Sequence, residues 1–215
     1  MADVSELQKR IWSIISQDST APTEGSDDWD LNLVYLNMSQ NEWAESYGWP
    51  TLLKEVYTLS SSATANVTIS LPTDYRRLDG TLKIETYDYP LVDPNIKDDS
   101  DDKYCYLLGY PGSYSLIVNP ADYGTGASIY YNYWASPASL ASPADISMCP
   151  DPSYLVQRSV AYLWESRDDG RFPQAKAESE KILSRMLEFE QTKGHSYDNT
   201  IKTDETRRGF RIGRD

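Results

Sequence analysis

One histidine and two cysteines limit the nucleophilic chemistry open to this chain. A catalytic hydroxyl or thiol needs an adjacent base to take its proton. In a Ser-His-Asp or Cys-His site that base would be His195, which follows Gly194 in a polar stretch, a poor place to hold an imidazole in register. Cys105 and Cys149 lie 44 positions apart, form no CxxC pair and have no flanking ligands, so they read as ordinary free thiols. No HExxH and no Cys/His cluster offers zinc a site. "YGTGAS" at 123–128 lacks the GK[ST] ending of a phosphate loop and reads as a turn between strands. Asp98, Asp99, Asp101 and Asp102 in "DPNIKDDSDDK" are the oxygen ligands calcium takes. They lack the Gly and distal Glu of an EF-hand loop, and the stretch reads as a solvated loop. A glycosidase pair of carboxylates leaves no spacing signature, and nothing singles out two of the 33 acids. The sequence therefore predicts no catalytic, cofactor-binding or metal site.

The residues that do stand out are at the end of the chain, in "ETRRGFRIGRD" (205–215). Arg207, Arg208, Arg211 and Arg214 give residues 206–215 a net charge of +3, against −13 for the whole chain. Phe210 and Ile212 interleave with the arginines, as in an extended segment that adds a strand to a sheet or packs into a groove. Gly209 and Gly213 lower helix propensity and let the backbone approach closely. Arg207, Arg208, Phe210, Arg211, Ile212 and Arg214 are thus the predicted partner-binding residues. The target they suit is an acidic protein surface, reached by electrostatic search and then anchored. DNA suits the body of the chain poorly, because phosphate affinity needs Lys and Arg, and here 20 of them face 33 acids.

The elements that must carry this segment follow from hydrophobic period. Val4, Leu7, Ile11, Ile14 and Ile15 recur at spacings of three and four, which predicts an amphipathic first helix. Ser26, Asp27 and Asp28 offer a cap and acidic first turn to a second, ended by "YGWP". Leu31, Tyr35 and Met38 form one apolar stripe on it and Leu36, Trp43 and Tyr47 the next, predicting burial on more than one side. From Lys54 onward "EVYTLS", "NVTISLP", "GTLKIETY", "KYCYLLGY", "SYSLIVNP" and "ASIYYNYW" read as six strands of an antiparallel sheet or small barrel, with "GYPGSY" as a hairpin turn. Asp151 and Pro152 then cap a third helix with Val156, Val160 and Leu163 on its face. A fourth runs from about Pro173 to Lys193, with Ala175, Ile182, Met186 and Phe189 on one stripe, and Gly194 ends it.

The order helix, helix, strands, helix, helix predicts an α+β fold. It is a four-helix bundle-like core with an antiparallel β module inserted between the helix pairs, plus an extended C-terminal tail. The boundaries are 1–50 and 137–194 for the two halves of the bundle, 51–136 for the β module and 195–215 for the arm. Aromatic usage is skewed to 17 Tyr and 6 Trp against 3 Phe, a hint of extensive contact surfaces, because Tyr and Trp pair a large apolar body with a polar tip. No apolar signal core opens the sequence and no run approaches a membrane span, so the prediction is synthesis in the cytosol and no membrane partner.

Three stretches carry a family resemblance: "YLNMSQNEWAESYGWPTLL", "VTISLPTDYRRLDGTLKI", and the strand, proline-rich link and helical hairpin from "IYYNYWASPASLASPADISMC" through "ESRDDGRFPQAKAESEKILSRMLEF". In this order they cover most of residues 30–190, and the chain resembles the head–tail adaptor (connector or neck) proteins of tailed bacteriophages. The resemblance implies a non-enzymatic structural protein of the virion, without cofactors. It also implies a ring, usually of twelve copies, under the portal protein, which extends the DNA channel without sequence-specific binding. A downstream tail, neck or nozzle protein would bind its far side, and the C-terminal segment would reach the portal or a neighbouring subunit. The rival expectations are a virion module that binds carbohydrate or another surface through Trp134 and nearby tyrosines, and a virion-associated lytic enzyme.

Overall fold

The computed structural model describes residues 2–18, 20–59, 67–95, 103–118 and 126–208, with the backbone alone described at Val67 and over 193–208. Four helices, α1 (Val4–Ile15), α2 (Asp27–Ser46), α3 (Pro152–Ser166) and α4 (Phe172–Arg208), flank seven strands in sequence. The strands are β1 (Leu53–Leu59), β2 (Val67–Ser70), β3 (Tyr75–Ile84), β4 (Tyr87–Tyr89), β5 (Cys105–Tyr110), β6 (Ser113–Val118) and β7 (Ser128–Ala135). The fold is mixed α+β with antiparallel sheets, and the chain divides into a helical unit, Met1–Trp43 with Leu140–Asp215, and a β unit, Ala44–Ser139.

In the helical unit α1 and α3 start on side-chain caps. Asp3 accepts the Glu6 N–H at 2.8 Å ahead of α1, and Asp151 accepts the Ser153 N–H at 2.9 Å with Pro152 at the first turn of α3. Val4, Leu7 and Ile11 of α1 and Val156, Val160 and Leu163 of α3 are buried as their spacing predicts. The face of α2 is a correction. Its buried side runs through Trp29, Asn32, Leu36, Ser39, Gln40 and Trp43, while Leu31, Val34 and Met38 are exposed. Three polar residues occupy that face because each has a partner. Asn32 donates to the Gln8 side-chain oxygen (2.9 Å), whose amide in turn donates to the Trp29 carbonyl (3.0 Å); the Ser39 hydroxyl meets Ser159 of α3 at 3.1 Å, and the Gln40 oxygen accepts from the Met148 N–H at 3.2 Å. A satisfied polar side chain can be buried at little cost, and an apolar count does not see it.

A second correction concerns α4. The helix does not stop at Gly194 but continues to Arg208. A glycine inside a helix costs only about 1 kcal/mol against alanine, and no proline after Pro173 forces a break. Residues 195–208 are therefore helical where the sequence predicts an extended arm. Arg207 and Arg208 are the last two helical residues, and Phe210, Arg211, Ile212 and Arg214 lie outside the described residues. So do Asp98, Asp99, Asp101 and Asp102.

The β unit holds two sheets, ordered β1-β7-β3-β4 and β2-β6-β5. Their facing sides share one core, in which Ile69, Leu116 and Val118 meet Leu82, Ile84, Ile129, Tyr131 and Tyr133. Pro111-Gly112 closes the β5–β6 hairpin between the paired Tyr110 and Ser113, as "GYPGSY" predicts, and Gly112 takes the positive φ (83°) such a turn needs. Gly109 is more constrained: at φ 112° an added Cβ would lie 2.2 Å from the Ser113 carbonyl oxygen. "GTLKIETY" is not one strand. β3 begins five residues earlier at Tyr75, takes up register shifts between Tyr75 and Arg77 and between Asp79 and Lys83, and ends at Ile84; Glu85 (φ 54°) and Thr86 then turn the chain into β4.

Candidate functional site

Cys105 and Cys149 are free and fully buried, and burial pushes both thiols up to about 12, which leaves almost no nucleophilic thiolate at neutral pH. Among the described residues no group of three or more His, Cys, Asp or Glu could hold a metal ion. No helix among them is long and apolar enough to cross a membrane.

The polar clusters that are present brace the fold. Glu42 of α2 takes a two-pronged pair from Arg158 of α3 (2.6 Å to each oxygen) and a hydrogen bond from the Tyr162 hydroxyl (2.7 Å). The Arg158 guanidinium also lies over the Tyr162 ring, 4.8 Å from its centroid. Such forked, charge-assisted bonds fix geometry as well as adding energy. In the β unit Asp74 is held by Lys54 and by the Tyr133 hydroxyl at 2.9 Å. Partial burial alone would raise the Asp74 carboxyl, but these two hydrogen bonds outweigh it and keep it below its ordinary value. Burial, and then the same contact, push the Tyr133 phenol up to about 12. Trp134 is half-buried, with its Nε1 donating to Asp79 (3.1 Å) and Arg77 over its ring, so it is no open sugar platform.

Beside the exposed apolar face of α2 at Leu31, Val34 and Met38, two further surfaces stand open among the described residues. One is the far end of α4 and the basic residues after it. At 1.5 Å per residue a 37-residue helix is roughly 55 Å long and the 15-residue α3 roughly 22 Å, so α4 runs on well past its partner. Over 172–192, where its side chains are described, the buried positions are Ala175, Ser179 and Ile182, and none follows Ile182. The helix thus brings Arg207 and Arg208 to its C-terminal end, where the unsatisfied carbonyls favour cations. The other surface is on the β unit, where β1, β4 and β5 are outer strands and expose Tyr57, Tyr87, Leu108 and Tyr110. Sequence reasoning missed these; only the strand order shows which aromatics fall on an edge.

The family model described as SU10 adaptor protein matches residues 2–203, both units and most of α4. Arg207 and the other five predicted partner-binding residues lie beyond the matched stretch. No curated protein matches the chain. A match of this extent, in agreement with the three sequence stretches, assigns the chain: it belongs to the SU10 adaptor protein family and is a phage head–tail adaptor.

Proposed function

We propose that this adaptor assembles as a ring, of twelve copies by the family resemblance, beneath the portal, where it extends the DNA channel and joins the head to the next tail, neck or nozzle component. In this reading the helices form a four-helix bundle whose sides meet neighbouring copies, and the β unit is a module inserted between the helix pairs. The segment after α4, with Arg207, Arg208, Phe210, Arg211, Ile212 and Arg214, leaves its own subunit and docks on the portal or on a neighbouring copy. The observation that carries this is the length of α4, which outruns α3 by roughly 30 Å and ends on a basic, aromatic segment in an acidic chain. A net charge of −13 also suits a channel that DNA must traverse without being gripped, since cationic walls hold phosphates.

Mass measurement tests the reading. Native mass spectrometry of the chain mixed with its portal should give a complex holding many copies of 24.4 kDa. A chain that stays monomeric and never joins the portal would contradict it. The exposed Tyr57, Tyr87 and Tyr110 favour a second reading, a virion surface-binding module, which predicts binding to host glycans by the isolated protein instead.

A further inference from the structure

Among the described residues, two outer strand edges face one cleft in the β unit. β1 ends one sheet and β2 ends the other, with no described strand beyond either. Both line a cleft of about 380 Å³ whose walls include Val56 and Thr58 of β1, Ile69 of β2, and Ile129 and Tyr131 of β7. An open edge offers unpaired backbone N–H and C=O groups to any extended segment that reaches it. Side chains alternate along a strand, so β1 turns Val56 and Thr58 into the cleft and Glu55 and Tyr57 to the other side. Tyr57 is 67% exposed there. Thr58, Thr68 and Ser70 make the walls part polar, but Val56, Ile69 and Ile129 seat apolar side chains of an added strand inward, and Glu55 suits a cation outward.

Residues 209–215, "GFRIGRD", have that pattern. Phe210 and Ile212 fall on one side of an extended chain and Arg211 on the other. The segment's first five residues, 209–213, span roughly 17 Å when extended, within the length of the seven-residue β1. Gly209 and Gly213 flank the apolar pair and permit close backbone approach. Charge agrees: residues 44–139 hold twelve Asp/Glu and six Lys/Arg, net −6, against +3 over 206–215. The overhang of α4 carries the segment away from its own α3–α4 pair.

We propose that the cleft between β1 and β2 receives residues 209–213 of a second copy of this chain as a strand added to β1, with Phe210 and Ile212 inside and Arg211 beside Glu55 and Tyr57. This rests on the reading that copies stand side by side, and it names the neighbouring subunit as the target of these residues.

Disulfide trapping in the full chain tests it. A tagged Thr58→Cys copy is mixed with an untagged Ile212→Cys copy under mild oxidation, with oligomer mass measured on the same sample. The native thiols are buried and do not compete. The expected result is a cross-copy adduct of about twice 24.4 kDa, formed at least about tenfold faster than with Asp88→Cys, an exposed site on β4 at the far edge of the sheet. Adding Phe210→Asp to the Ile212→Cys copy should suppress it. Oligomers without the adduct, or with equal trapping at Asp88→Cys, overturn the strand addition and leave the ring intact. An adduct confined to single chains carrying both Thr58→Cys and Ile212→Cys overturns the second copy as donor. Monomers without the adduct, even with the portal present, contradict both proposals.

Discussion

In the helical unit, the residues that decide which helix lies where are polar. Gln8 joins α1 to α2, Ser39 meets Ser159 across α2 and α3, and Glu42 grips Arg158 and Tyr162. In the β unit the same task falls to shape: Tyr75 stacks on Tyr133, Tyr131 tilts against it, and the register of β7 between β1 and β3 sets the rest. The two solutions leave different surfaces. Gln8, Asn32, Ser39 and Glu42 are paired within the helical unit, whereas the described sheets end in outer strands carrying exposed aromatics. A structural adaptor needs both kinds of region, one that keeps its shape and one that offers backbone and aromatic surface to a partner.

Substitutions can break that contrast, largest effect first. Trp43→Ala empties the largest fully buried side chain of the helical unit and should cost about 3–5 kcal/mol, read as a fall in the chemical-denaturation midpoint. Gly109→Ala strains the β5–β6 hairpin by driving a Cβ against the Ser113 carbonyl at positive φ. It should cost about 2–3 kcal/mol, with the loss followed by amide exchange in β5 and β6. Arg158→Ala leaves Glu42 with one partner. Because Glu42 stays partly solvated, the cost should be about 1–2 kcal/mol in thermal unfolding, and smaller still at high salt. Asp74→Asn should have the least effect at neutral pH, about 1 kcal/mol or less, and should change the acid limb. The Asp74 carboxyl is depressed in the fold, so its contribution is present above the ordinary value of 3.8 and is lost as pH falls through the folded value. The wild-type chain should lose stability over that range more steeply than Asp74→Asn. Equal slopes would remove Asp74 as a brace of the β unit.

The strands and caps were legible in the sequence because their signals are local. β-branched and aromatic runs, Pro111-Gly112, and Asp151-Pro152 each act within a few residues. The buried face of α2 was not, because Asn32, Ser39 and Gln40 look like surface residues until their partners, 24 to 120 positions away for Asn32 and Ser39, are in place. Gly194 misled for the opposite reason: it is a strong local stop signal that a long helix can absorb. At the candidate site the chemistry of Phe210, Ile212 and the arginines could be read directly. The cleft that suits them could not, since β1 and β2 are consecutive in the chain yet end different sheets.

The central claim is that the residues after α4 attach this adaptor to its assembly. Deleting 205–215 tests it most directly, with attachment to portal-bearing heads measured beside the wild-type chain by sedimentation and the fold checked by circular dichroism. The account predicts a folded protein that no longer attaches; undiminished attachment would contradict it.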